Sequence, residues 1–408
     1  MQRNGIGMAD HPTRAVIDLS ALHHNLQVIR ERIGPQRRIL AVVKANAYGH
    51  GAGVLCAHLE GFGVDMLGVA YPEEGLNLRD AGITSPILVM SGTLPDQLEG
   101  ALEANLTISL SDLDTAKALS QLALRNKRRA KVHVKVDTGM GRLGFPLDDA
   151  INAVTAIASL PHLSIEGIFT HLATSEDADH SYTRYQTERF TGLVRSLEGL
   201  VNPPPIIHMG NSAAVMKHPE TYFDMVRVGI MLYGLAPVPG LQKALPIRPI
   251  MSLQTKIIHI KRMPEGSSLS YGRTYICPSD KVIAVIPVGY SDGLARCMST
   301  KIHVLLRGVR VPVVGTVCMD MSLVDITGID GVEIGEEVVL IGSQGGECIT
   351  AHDWAAWQNT IPYEVLCAVG PRVKRIYRRE EGTREVVHGC KANSEGAGVT
   401  TNGSICTG

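Results

Sequence analysis

A (β/α)8 barrel followed by a mainly β domain is the α/β architecture this sequence predicts, and three observations predict it. Short apolar runs alternate with helical patterns eight times before about residue 245, the number and spacing such a barrel needs. Polar residues fall where those runs stop: Lys44 and Asn46, Lys135 and Asp137, His171, Asn211 and Ser212, Arg227. Beyond Leu245-Pro-Ile-Arg-Pro-Ile250 the helical patterns largely cease and branched residues alternate with turns, as in half-buried antiparallel strands. Residues 13–245 therefore read as the barrel and 246–379 as the β domain. Residues 380–408, charged and then rich in Gly, Ser, Thr and Asn, read as a flexible tail.

Taken in order, Asp18-Leu-Ser20 ahead of Ala21–Ile29 reads as an N-cap and an amphipathic helix. Strand expectations follow at Ile39–Lys44, Asp65–Ala70, Pro86–Met90, Thr107–Leu110, Val132–Val136, Ile165–Thr170, Pro205–Met209 and Met225–Ile230. In the second domain the β runs are Lys256–Lys261, Lys281–Val288 and Val304–Val314, with one helical stretch at His352–Gln358.

Lys+Arg 39 against Asp+Glu 40 gives a formal net charge of −1, so no basic field argues for nucleic acid or an anionic membrane. The N-terminal residues lack an apolar signal region, and no run of about 18 apolar residues occurs. Eight cysteines are scattered with no C-x-x-C pair, which suits reduced thiols in a cytoplasm. A small molecule or a second copy of the chain is the expected partner.

Lys44 ends an apolar run and opens Ala-Asn-Ala-Tyr48-Gly-His50-Gly. Burial lowers a lysine pKa and so turns a hydrated cation into an amine able to attack a carbonyl carbon; the competing reading is a strand cap whose amine reaches water. Gly139-Met-Gly141-Arg-Leu-Gly144 matches G-x-G-x-x-G, but it sits in the fifth strand unit and Pro146 falls where a phosphate-binding helix should be under way. A dinucleotide site is rejected on that ground. Arg142 in the same loop is either an anion-holding guanidinium or a plain surface arginine. His50, His171 and His208 lack metal-ligand spacing, and no metal is expected. His208-Met-Gly-Asn211-Ser212 offers free N–H groups for an anion or merely caps a helix.

Read together, AVVKANAYGHG, VKVDTGMGRLGF, GIFTHLATSED, HMGNSAA, RVGIMLYG, SYGRTY, GYSDG, CMDMS and PYEVLCAVGPRVKRIY resemble, in order and from about Thr13 to Tyr377, the bacterial alanine racemases. The resemblance implies an isomerase that uses pyridoxal 5′-phosphate to interconvert L- and D-alanine, supplying D-alanine for peptidoglycan. It implies that Lys44 carries the cofactor and serves as one of two bases, and that Tyr271 of the partner subunit is the other. Tyr48, Ser212, Gly229, Ile230 and Tyr363 would hold the phosphate, with Asn211 also counted among the cofactor-binding residues. Arg227 would face the pyridine nitrogen, and His171 would position Arg227 and orient Tyr271. Arg142 would meet the cofactor phenolate and the substrate carboxylate, and Met319 of the partner subunit would offer its N–H to that carboxylate. Tyr290 and Asp320 would line the site from the partner, and Lys135 matches a position often carbamylated in the family. A homodimer with shared sites follows. Thr316, where an arginine is common, and Met321 depart from the family pattern. A broad-specificity or serine racemase on the same scaffold, or a non-catalytic cofactor carrier, remains as an alternative.

Overall fold

The eight strands close on themselves with most of their residues buried between the barrel interior and the helices outside. In the computed structural model, which describes residues 11–243 and 245–379 and the backbone of 383–386, the barrel strands are Arg38–Val42, Met66–Val69, Ile87–Val89, Thr107–Leu110, Ala130–Asp137, Leu163–Phe169, Ile206–His208 and Met225–Val228. Each pairs in parallel with the next, and Met225–Val228 pairs back onto Arg38–Val42. Continuous burial of Ile39, Leu40 and Ala41, or of Ile87, Leu88 and Val89, removes any alternation with polar residues, as strands covered by helices on one face and barrel interior on the other require. The helices start where short polar side chains cap them: Asp18 Oδ1 accepts from Ala21 N at 2.8 Å and Asp112 Oδ1 from Thr115 N at 2.7 Å.

The second domain is a large, mainly antiparallel sheet that runs through Met251–Lys256, Glu337–Gln344 and Lys374–Arg379. Three of its features differ from the sequence reading. Arg14–Asp18, counted with the barrel, lies in this sheet between Met251–Lys256 and Lys374–Arg379. Its apolar Ala15, Val16 and Ile17 are buried there, so the chain begins in one domain's sheet before it enters the other. Beyond the one helical stretch expected at His352–Gln358, Ile361-Pro-Tyr363-Glu starts a second helix, Pro362–Cys367, with proline in the first turn where its missing N–H costs nothing. Part of the expected flexible tail, Thr383–Val386, is an antiparallel strand on Lys374–Arg379. That strand covers backbone groups that Lys374–Arg379 would otherwise expose as a sheet edge. The rest of the 380–408 stretch lies outside the described residues. A single continuous apolar cluster, containing Leu40, Val228, Leu253 and Trp354, joins barrel and sheet.

Candidate active site

Residues from seven barrel strand ends and from the Pro362–Cys367 helix converge on one cavity of about 690 Å³. It is lined by Lys44, Tyr48, Lys135, Arg142, His171, Asn211, Ser212, Arg227, Gly229, Ile230 and Tyr363, which are spread over more than 300 positions of sequence.

Lys44 does not end a strand. The strand stops at Val42, and Ala45, Asn46, Ala47 and Tyr48 follow with φ of 51°, 54°, 53° and 52°. A left-handed turn of four non-glycine residues is costly, at roughly 1–2 kcal/mol each, so something must hold it. Glu74 accepts from Ala45 N at 2.6 Å and from Ala70 N at 2.7 Å, and Asn46 Oδ1 accepts from Ala52 N at 2.8 Å. The β domain adds two clamps: Arg375 Nε donates to Gly49 O at 3.0 Å and the Tyr377 hydroxyl to His50 O at 3.0 Å. Gly49 itself closes the turn at φ 80°, where a Cβ would collide with the Leu366 carbonyl oxygen. Burial, then the Arg142 charge, lowers the Lys44 pKa, which favours the neutral amine.

Arg227 is buried and, among the described residues, has no carboxylate partner. Its Nη2 donates to Thr170 O and Met209 O, each at 2.8 Å, and lies 3.1 Å from His171 Nδ1; Nη1 lies 3.1 Å from His208 Nδ1. A guanidinium only donates, so both Nδ1 atoms are acceptors and both rings carry their proton on Nε2. His208 Nε2 then donates to His133 Nδ1 at 2.9 Å. His133 in turn carries its proton on Nε2, which has no acceptor among the described residues. Burial holds His171 and His208 well below the usual imidazole range and His133 at about 3, so the chain is neutral apart from Arg227. Burial alone brings Arg227 down to about 9, still charged at pH 7. With that cation between His171 and His208, and His50 stacked on Tyr233 at 4.6 Å, the three histidines cannot act as a metal triad.

Lys135 sits above the Phe169 ring, 5.4 Å from its centroid, as does the Arg227 guanidinium from its own side. Burial, then Arg142 and Arg227, brings the Lys135 amine down to about 8. Opposite, Ser212 Oγ accepts from Gly229 N at 3.0 Å, and a Cβ at Gly229 would strike the Tyr48 hydroxyl. Burial raises the pKa values of Tyr48 and Tyr363, so both hydroxyls keep their protons and can donate. Hydroxyls and a backbone turn around a Cβ-free space form a donor set suited to a phosphate group, and a lysine of lowered pKa beside them suits an aldehyde. Asn211, by contrast, is engaged: Oδ1 accepts from Ala214 N at 2.9 Å and Nδ2 donates to Ser175 Oγ at 2.9 Å. In the Gly139–Gly144 loop, Asp137 accepts from the N–H groups of Gly139, Met140 and Gly141, each at 2.8 Å, which leaves those amides unavailable to a dinucleotide.

Of the five β-domain residues expected at the site, Tyr363 lines this cavity, but Tyr271, Tyr290, Met319 and Asp320 do not join it within one chain. Tyr271 is 71% exposed, and Tyr290 and Met319 are also open to solvent; Asp320 pairs with Arg372 at 2.7 Å. Sequence reasoning missed Glu74, His133, Phe169, Glu176 and Cys367. Only Glu74 had a signal, a Pro-Glu-Glu run at a helix start.

Residues 17–237 match the family described as alanine racemase, N-terminal domain, and 250–377 the alanine racemase C-terminal domain. The sequence is 44% identical over 367 residues to alanine racemase 2 of Caldanaerobacter subterraneus subsp. tengcongensis, covering 90% of this chain and 95% of that one. The fold is similar to alanine racemase of Clostridium difficile, with TM-score 0.88, 36% identity, and coverage of 93% and 98%. It is also similar to a histidine racemase of Leuconostoc mesenteroides subsp. sake, with TM-score 0.83, 29% identity, and coverage of 92% and 100%.

Proposed function

This chain belongs to the alanine racemase family, and from that membership we propose that it interconverts L- and D-alanine with pyridoxal 5′-phosphate in sites shared between two subunits. The observation that carries the reading is the juxtaposition of a lysine of lowered pKa with a hydroxyl and backbone cradle and an uncompensated buried arginine in one cavity.

Tyr48, Ser212, Gly229, Ile230 and Tyr363 would hold the cofactor phosphate and Lys44 its aldehyde carbon, and the bound cofactor would supply an electron sink for charge developing at the substrate Cα. Lys44 and Tyr271 of the partner subunit exchange the Cα proton from opposite faces, since one fixed base would return it to the face it left. Arg227 would present its positive charge to the pyridine nitrogen, where an acid would protonate it, and would so restrain charge build-up in the ring. His171, held on Nδ1 by Arg227, turns its Nε2–H outward and so can orient that tyrosine. Arg142 and the Met319 N–H of the partner subunit hold the substrate carboxylate, with Tyr290 and Asp320 of the partner subunit at the rim. The lowered pKa of the Lys135 amine raises its neutral fraction, which suits it to carbamylation and would give Arg142 an anionic partner. Asn211 acts as a helix cap rather than as a direct ligand.

A carrier without catalysis would have no use for Tyr271, Tyr290 and Met319 held exposed on the β domain, and similarity to the histidine racemase is lower than to the alanine racemases above, so alanine is the substrate proposed. No described helix is long and apolar enough to cross a membrane, and the six described cysteines are unpaired, which fits a cytoplasmic enzyme making D-alanine for peptidoglycan. The test is incubation of the purified, cofactor-loaded protein with each L-amino acid, followed by chiral chromatography, with borohydride fixation and peptide mapping in parallel. Racemised alanine and label on Lys44 are expected. Faster racemisation of serine or histidine, or label on another lysine, would overturn the assignment.

A further inference from the structure

The loop Cys318-Met319-Asp320 is exposed, and among the described residues the Met319 N–H has no acceptor. A loop with a free donor still needs a fixed direction if that donor is to recognise anything. Here the direction comes from a residue outside the loop. Arg372 donates Nε and Nη2 to the two oxygens of Asp292, at 2.6 and 2.9 Å, Nη1 to Asp320 at 2.7 Å, and Nη2 to Met319 O at 3.5 Å. The Asp292 side chain is fully buried and accepts from Gly289 N at 2.9 Å. Gly289 precedes Tyr290, whose own N–H donates to Cys318 O at 3.1 Å, while Ser291 N donates to Met319 O at 3.1 Å. One planar guanidinium therefore ties the Tyr290 turn and the Met319 loop to a single buried carboxylate. A fork that spans two carboxylates is a job an ammonium cannot copy.

We propose that Arg372 is a positioning residue for substrate recognition: it aims the Met319 N–H of one subunit at the alanine carboxylate bound in its partner's barrel and fixes the Tyr290 turn at the rim of that site. The proposal rests on the shared-site reading above and adds to it the group that sets the loop's direction. It predicts that damage at Arg372 appears in carboxylate binding more than in proton transfer, because the two bases are untouched.

The test uses Arg372→Lys in the cofactor-loaded enzyme. KM for alanine should rise about tenfold, the loss of one charge-assisted hydrogen bond, with kcat changed by less than about threefold. Propionate, a carboxylate without the amine, should lose binding by the same factor in calorimetry, while ethylamine binding stays as it was. Unchanged KM and propionate affinity would overturn the proposal. So would a defect that disappears on raising protein concentration, which would mark a loosened dimer instead. The double variant Arg372→Met/Asp292→Asn, with no unpaired buried charge, guards against misfolding and should show the same split. Failure of the underlying reading is separable. In a heterodimer of Lys44→Ala and Tyr271→Phe chains, the one intact site takes its barrel from the second chain and its β domain from the first. Arg372→Lys on the Lys44→Ala chain should raise KM. The same rise from the Tyr271→Phe chain would mean that the loop serves its own barrel, and no rise from either chain in an active mixture would remove Arg372 alone.

Discussion

Individual side chains in this molecule are set by burial more than by pairing. His50 and His133 are wholly buried and neutral, with pKa values lowered to about 4 and about 3. In the unfolded chain both take up protons near pH 6.5. Protons therefore bind preferentially to the unfolded state below that pH, and stability present above about 6.5 is lost as pH falls towards 4 and 3. Each histidine contributes a slope of up to about 1.4 kcal/mol per pH unit in that window. His50→Phe keeps the stack on Tyr233 but removes one titrating group, so urea denaturation between pH 6 and 4 should show a shallower decline than wild type. An unaltered slope would mean that His50 is protonated in the folded chain. Of the residues that matter at this scale, the sequence made Lys44 and Arg227 legible because charge at the end of an apolar run is conspicuous, and Arg142 because it sits in a glycine-rich loop after a strand. His133 and Phe169 were not legible, since a ring inside a strand looks like core until its neighbours from other strands are known.

Among the elements, the left-handed turn Ala45–Tyr48 is the one whose shape the chemistry depends on. Ala45 is exposed, so a change there tests backbone strain with little effect on packing. Ala45→Gly removes the Cβ conflict but adds unfolded-state freedom, and stability should stay within about 1 kcal/mol of wild type. Ala45→Val puts a β-branched residue at positive φ and should cost about 2 kcal/mol or more. Denaturation midpoints measure both; equal effects would show that the turn is not left-handed in solution. The barrel strands were readable because double-sided burial writes unbroken apolar runs into strands such as Met66–Val69 and Ile87–Val89, and because apolar runs recur at regular spacing even where Ala130–Asp137 and Leu163–Phe169 carry polar residues. The Arg14–Asp18 strand was not, since its partners lie more than 230 residues away in the chain and its apolar triplet merges into the following helix signal. Thr383–Val386 pairs through backbone groups along a stretch that is mostly polar, which leaves no periodic trace. Glu74 reaches the Lys44 turn from a different helix, a contact no local pattern encodes.

As a whole molecule, one chain places Lys44 at the barrel mouth and leaves Tyr271 exposed in the other domain, where Arg372 binds Asp320. The two domains share a core, so the β domain cannot fold over its own barrel mouth without breaking Arg14–Asp18 out of the sheet and the Arg375 and Tyr377 clamps off the turn. In the shared-site reading proposed above, pairing head to tail with a second copy would bring each tyrosine to the other's lysine without any such rearrangement. Mixing inactive Lys44→Ala and Tyr271→Phe chains tests this directly. Once mass spectrometry has shown heterodimers, random pairing of equal amounts makes about half the dimers mixed, each with one working site of two. Racemisation near a quarter of the wild-type rate is the result predicted, and none from a sample proven to contain heterodimers would put both bases on one chain and contradict the shared site.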